Sequence, residues 1–122
     1  MVNLDYLAAK YAGEVDTGIE RIENSATSAL NILHEQGIYA MVLWLREKGA
    51  KNGEDKILEG LDHLFHDPMM PFRFNREKHM NKPADVRDQL TMNLKTMFFA
   101  KNLIELYLIY IRHLAKAEIK EA

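Results

Sequence analysis

The hydrophobic positions of this chain recur at steps of three and four residues, the spacing of one face of an α-helix. The first stripe occupies positions 4–22 and predicts one helix there, although Gly13 and Gly18 would each weaken it by up to ~1 kcal/mol relative to alanine. Asn24 and Ser25 offer an N-cap for a second helix. The first third of the chain is therefore predicted to be helical.

An apolar run at positions 38–45 follows Gly37, which is expected either to kink or to end the second helix. The run is too short to span a bilayer, yet it is apolar on every side. We expect it to be helical and buried, either in its own core or against a neighbouring subunit. Gly49 then offers a C-cap.

A third helix is predicted to start at an Asn52 N-cap, and its core stripe consists of Ile57, Leu58, Leu61, Leu64 and Phe65. Residues 67–83 contain all three prolines and no periodicity, which predicts one long loop. The last helix is expected from Ala84 to about Lys120, and because it would be about 50 Å long it should break near residues 93–96 or protrude. Two apolar stripes run along it, including Leu94 and Leu114.

These elements predict an all-α, single-domain helical bundle of four to six helices over residues 1–122, with a long C-terminal helix. The absence of cysteine excludes disulfides and thiolate metal sites and favours a reducing cytoplasm. The first residues lack the pattern of a signal peptide, and no segment is long enough to cross a membrane. We therefore expect a cytoplasmic protein that does not bind membranes.

Charge is distributed unevenly. Residues 1–72 carry a net charge of −6 and residues 73–122 a net charge of +4. Such a chain can present a basic face to phosphate and an acidic face to a protein neighbour, unless folding interleaves the two halves.

Candidate catalytic and metal chemistry is sparse. Glu59, His63 and His66 share one helix face, but no second helix supplies the acid-x-x-His pair of a di-iron bundle and the HExxH pattern is absent, so a solvated polar face and no metal are expected. No glycine-rich phosphate loop or nucleophile elbow occurs, and we expect no cofactor, no small-molecule substrate and no enzymatic activity. One alternative is a homodimeric ribonuclease of the HEPN type, because Arg73 and His79 fit its Arg-x4–6-His spacing.

Two sets of residues are candidates for binding. The basic residues form the candidate RNA-binding set, with ordinary solubilising charge as the alternative: Arg73, Arg76, Lys78, Lys82, Arg87, Lys101, Arg112, His113 and Lys116. The second set, Met69, Met70 and Phe72, either forms a protein interface, as in an adaptor or inhibitor, or folds back over the core.

The order of features resembles the small all-helical subunit of type III CRISPR effector complexes, the Cmr-type family. The similar segments are Gln36-Gly37-Ile38 with the run ending Leu43-Trp44-Leu45-Arg46-Glu47-Lys48, the short helix at 55–64, and Tyr110-Ile111-Arg112-His113-Leu114-Ala115-Lys116. The chain departs from the family at Ile38, Tyr110 and His113, where leucine, tryptophan and a second fixed cation are usual.

The resemblance implies a non-catalytic subunit of an antiviral ribonucleoprotein. Copies of the chain would stack head to tail along the guide RNA and target RNA and contact other subunits of the effector complex. Arg112 and Lys116 would approach phosphates, and the segment from Arg73 to Arg87 would form a second basic surface. The uneven charge fits such repeating contacts.

Overall fold

The computed structural model describes residues 3–71 and 74–121, with side chains through residue 117, and all regular secondary structure in those stretches is helical. The helices are α1 (Leu4–Gly13), α2 (Ile22–Gln36), α3 (Ile38–Lys48), α4 (Glu54–Phe65), α5 (Pro83–Val86) and α6 (Leu94–Glu121). A π-helical turn, Arg87–Thr91, follows α5. The predicted all-α class and the long last helix are confirmed. None of the described helices combines the length and the apolarity that crossing a membrane requires.

The first predicted helix is wrong in its length, because α1 ends at Gly13 and residues 14–21 form turns. Val15 stays in the core and Ile19 packs against it, so the apolar spacing continues through the turns and conceals the break. Arg21 precedes α2 with a left-handed φ of 67°. The predicted N-cap at positions 24 and 25 is therefore wrong as well.

Ser25 instead joins α2 to the start of α4. Its buried hydroxyl lies within hydrogen-bonding distance of the Asn52 carbonyl, at 3.0 Å, and of Glu54 Oε2, at 3.2 Å. Glu54 is 2% exposed, and its Oε1 accepts from the Asn52 N–H at 2.7 Å. Gly53, at φ +85°, is the residue that precedes α4, so Asn52 is not the cap that the sequence predicts. The predicted core stripe of this helix is buried throughout.

The apolar run forms α3, which begins directly after α2 ends at Gly37 (φ +99°). Ile38, Met41, Val42 and Leu45 are buried on one face. Tyr39 and Leu43 are 38% and 43% exposed, so the core of the chain does not cover this face, and its burial against a neighbouring subunit stays a prediction.

The last helix begins at Leu94 rather than at Ala84, and its 28 residues span about 42 Å. The side chain of Asn93 accepts from the Thr96 N–H at 3.1 Å and starts the helix, which confirms the predicted break. Leu94 and Leu114 of the apolar stripes are 63% and 41% exposed, so these two positions do not pack in the core of the chain.

The core lies where α6 packs against α1 and α2, while α4 packs against α1 and α3. Tyr107, fully buried on α6, donates to the Ile57 carbonyl of α4 at 2.8 Å. Burial, with Glu14 and Glu59 nearby, raises the pKa of Tyr107 well above its usual value. This hydrogen bond ties the longest helix to the helix from which the long loop departs.

The long loop starts at a buried carboxylate, Asp67, which is 7% exposed. It accepts from the Tyr11 hydroxyl at 2.5 Å and from the Met69 N–H at 2.7 Å, and Lys10 Nζ lies 3.5 Å away. Burial by itself raises the pKa of Asp67, but the Tyr11 and Met69 hydrogen bonds and the Lys10 charge outweigh it and lower the pKa. The loop is therefore anchored to α1 by an ionised group.

Candidate nucleic-acid interface

The last four turns of α6 carry the predicted cations Arg112, His113 and Lys116. Arg112 is half-buried, and its Nε is buried with no hydrogen-bond partner among the described residues. His113 and Lys116 are exposed. A buried guanidinium N–H without an acceptor is costly, so Arg112 is the cation on this helix that most needs an anionic partner.

Lys101 lies on the same face of α6 as Arg112. Eleven residues make slightly more than three full helical turns, so these two side chains are about 16 Å apart along one side of the helix. Lys101 is half-buried. Lys116 lies on the same side of the helix, one turn beyond Arg112.

Carboxylates of α6 and of the neighbouring helices border this side. Glu23 of α2 pairs with Lys116 at 3.7 Å, and Glu105 of α6 pairs with His34 at 3.0 Å. The Tyr110 hydroxyl donates to Asp5, and this hydrogen bond, with some burial, raises the pKa of Tyr110. Lys116 is thus partly neutralised by Glu23, whereas no ion pair joins Arg112 to another of the described residues.

The second predicted basic surface lies on the loop and the π-helical turn. Arg76, Lys78, Lys82 and Arg87 are all exposed. Lys78 pairs with Asp85 at 3.9 Å, and Arg87 pairs with Asp88 at 2.9 Å. The Asp88 hydrogen bond raises the pKa of Arg87. Arg73 lies outside the described residues.

The predicted protein-interface residues differ in their exposure to solvent. Met69 is 53% exposed, whereas Met70 is half-buried and packs against the core, as the second of the two interpretations expects. Phe72 lies outside the described residues.

A further exposed apolar surface, which sequence reasoning missed, lies at the start of α6. Met92, Leu94 and Phe98 are 82%, 63% and 54% exposed. The i, i+4 spacing of Leu94 and Phe98 shows that they share a face, but the sequence does not tell a core face from an exposed one.

The predicted Glu59, His63 and His66 set does not come together as a site. Glu59 pairs with Lys56 at 3.6 Å and His63 is exposed, as a solvated face requires. His66 instead lies beside Asp62 and His79, and one ligand atom of each is within 4.8 Å of the others. Sequence reasoning missed this cluster, although Asp62 and His66 have the i, i+4 spacing that could have drawn attention to it.

His79 is also the histidine of the ribonuclease alternative. Its Nδ1 is 3.1 Å from Asp62 Oδ2, and its backbone N–H donates to Asp85 at 2.9 Å. Its expected partner Arg73 lies outside the described residues, so the pairing that this alternative needs stays a prediction.

No protein-family model, curated protein or solved structure matches this chain.

Proposed function

We propose that this chain is a non-catalytic, cytoplasmic small subunit of a type III CRISPR ribonucleoprotein effector complex, in which several copies stack along the guide–target RNA during antiviral defence. The observation that carries the RNA contact is the guanidinium of Arg112, whose buried Nε has no acceptor within the described chain. Because that Nε has almost no exposed surface, an RNA phosphate would contact the exposed part of the same half-buried side chain and supply the opposite charge there.

The neighbours of Arg112 support a backbone contact rather than base readout. Lys101 lies about three turns away on the same side of α6, and Lys116 lies one turn beyond Arg112. Lysine and arginine bind phosphates without regard to sequence. A guide-dependent complex needs a subunit of this kind, because its guide sequence varies.

Exposed apolar side chains support assembly with other subunits. Met92, Leu94 and Phe98 at the start of α6 are more than half exposed, and Tyr39 and Leu43 of α3 are exposed on the apolar run. Surfaces of this kind commonly mark protein contacts. The acidic first part and the basic last part of the chain also favour head-to-tail contacts between copies.

Binding to single-stranded RNA, measured by fluorescence anisotropy over a salt series, tests the RNA contact. The variant Arg112→Gln with Lys116→Gln should bind at least about tenfold more weakly and reduce the slope of log K against log salt by about one to two. The matched control is Arg46→Gln with Lys51→Gln, which removes two exposed cations from the acidic part of the chain. Circular dichroism verifies that both variants fold.

Two outcomes would contradict the proposal. Either the Arg112 and Lys116 variant binds as the wild type does, or the control loses as much affinity, which would indicate a general charge effect. Purification from the native cell, followed by mass spectrometry and sequencing of bound small RNA, tests the complex itself.

A further inference from the structure

The residues Asp62, His66 and His79 bring three metal-ligand side chains together where the long loop returns to α4. Asp62 Oδ2 is 3.1 Å from His79 Nδ1, and Asp62 Oδ1 is 3.6 Å from His66 Nδ1. We propose that this Asp-His-His cluster binds a divalent transition-metal ion of the zinc class, which fastens the loop to α4.

The spacing of the ligand atoms fits such an ion. A tetrahedral Zn²⁺ with bonds of about 2.0–2.1 Å places its ligand atoms about 3.3 Å apart. The separations of 3.1 and 3.6 Å, which involve the two different oxygens of Asp62, lie on either side of that value. One ligand atom of each of the three residues lies within 4.8 Å of the others, so side-chain rotation brings them to the spacing that the ion requires.

The ligands are also held by the outer contacts that metal ligands usually have. Asp62 Oδ1 accepts from the Met80 N–H at 2.8 Å, and His66 Nε2 lies 2.9 Å from the Lys78 carbonyl. The backbone N–H of His79 donates to Asp85 at 2.9 Å. Such hydrogen bonds orient the ligands and select the ring nitrogen that faces the metal.

Metal binding requires a change at His66. Its Nδ1 lies 2.6 Å from the backbone carbonyl of Asp62 and 3.6 Å from Asp62 Oδ1. Coordination by Nδ1 therefore replaces its contact with that carbonyl, whereas Nε2 keeps the Lys78 carbonyl at 2.9 Å.

The chemistry of the ligand set selects the metal class. Two imidazoles and one carboxylate suit Zn²⁺, and also Co²⁺ or Ni²⁺, whereas Mg²⁺ and Ca²⁺ prefer oxygen ligands. The His79 side chain is 41% exposed, and the cleft beside it is lined by Asp55, Glu59, Asn81 and Lys82. Solvent can therefore supply the fourth ligand.

Isothermal titration of the full-length, tag-free protein with ZnCl₂ after chelator treatment tests the site. We expect about one equivalent of Zn²⁺ per chain, a Zn²⁺-dependent rise in melting temperature, no response to equimolar MgCl₂, and tetrahedral Co²⁺ absorption in the visible range. His79→Ala and Asp62→Asn should each weaken Zn²⁺ binding by at least about tenfold. His63→Ala is the matched control, because it removes an exposed histidine from the same helix and should change affinity less than twofold.

The proposal is overturned if the wild type binds less than half an equivalent, or if His79→Ala and Asp62→Asn retain wild-type affinity. It is also overturned if His63→Ala loses as much Zn²⁺ affinity as His79→Ala and Asp62→Asn do. Surface histidines would then bind Zn²⁺ without a defined site. The asparagine of Asp62→Asn can still accept the hydrogen bond from the Met80 N–H, so the loop should stay in place. A loss of Zn²⁺ affinity in this variant therefore reports the lost carboxylate ligand rather than a disturbed loop.

Discussion

The hydroxyl of Tyr107 occupies the space that a side chain on Gly60 would need. A Cβ built on Gly60 would collide with Tyr107 Oη and would come within 3.2 Å of Val15 Cγ2. Tyr107 is fully buried and its hydroxyl is held by the Ile57 carbonyl, so the ring has no free space into which it could retreat. The close packing of α6 on α4 therefore requires glycine at position 60.

Gly60→Ala should lower the free energy of unfolding by about 1–3 kcal/mol, because the overpacking outweighs the better helix propensity of alanine. Urea denaturation monitored by circular dichroism measures the change. Gly13→Ala is the matched control, since no atom lies within 4 Å of a Cβ there, and it should be neutral or slightly stabilising. The double variant Gly60→Ala with Tyr107→Phe should recover part of the loss; if the two losses simply add, the collision is not the cause.

Tyr11→Phe should lower the free energy of unfolding at pH 7 by about 1.5–3 kcal/mol, because the buried carboxylate of Asp67 loses a hydroxyl donor. Urea denaturation at pH 7 gives this value. Tyr6→Phe, on the exposed side of the same helix, should have almost no effect. Equal losses in the two variants would contradict the role of the Asp67 contact.

Acid should remove the contribution of Asp67 to stability. Its pKa in the folded chain lies below the unfolded value of about 4, so ionised Asp67 stabilises the fold above that value, and the contribution is lost as the pH falls through the folded pKa. Urea denaturation at a series of pH values from 7 to 3 should show the wild type losing more stability than Asp67→Asn does. Parallel curves for the two proteins would contradict this assignment.

Glu54→Ala should lower the free energy of unfolding by about 1–3 kcal/mol, because it leaves the Asn52 N–H without its acceptor in a partly buried turn. Thermal and urea denaturation measure the loss. Glu59→Ala, which removes an exposed carboxylate from the same helix, should change stability by about 0.5 kcal/mol or less. A Glu54→Ala variant as stable as this control would show that the Ser25–Glu54 contact does not connect α2 to α4.

Glu23→Gln should strengthen RNA binding about two- to tenfold at low salt, because Lys116 loses the carboxylate that competes with phosphate. Stability should change by less than about 1 kcal/mol, since the side chains of this pair are 49% and 28% exposed and solvent screens their attraction. Anisotropy titrations that compare it with Glu20→Gln, the same charge change at another exposed position, separate a local effect from net charge. Equal gains in both variants would exclude a particular role for Lys116.

Much of the helical architecture could be predicted from spacing. All five predicted core positions of α4, from Ile57 to Phe65, are buried, because their i, i+3 and i+4 pattern is contained within one helix. The same reasoning failed at residues 14–21, where turns bring Val15 and Ile19 to the core with helix-like spacing. Periodicity records which residues are buried, and it does not record whether the backbone between them is helical.

The candidate sites could be predicted less well. The sequence drew attention to the cations of α6. It could not show that Lys116 is paired with Glu23, or that the Nε of Arg112 has no acceptor in the part of the chain that the structure describes. It also placed His66 with Glu59 and His63, whereas the fold places it with His79. Each of these pairings joins residues that are distant in the sequence or that face different neighbours.

By itself the sequence determined that the chain is helical, where most helices lie and that charge is polarised along it, because helix periodicity and composition are local properties. Only the tertiary structure decided which cations are neutralised, why position 60 must be glycine and that Asp62 meets His79. Those relationships form only when the chain folds, because they depend on how all the helices pack together.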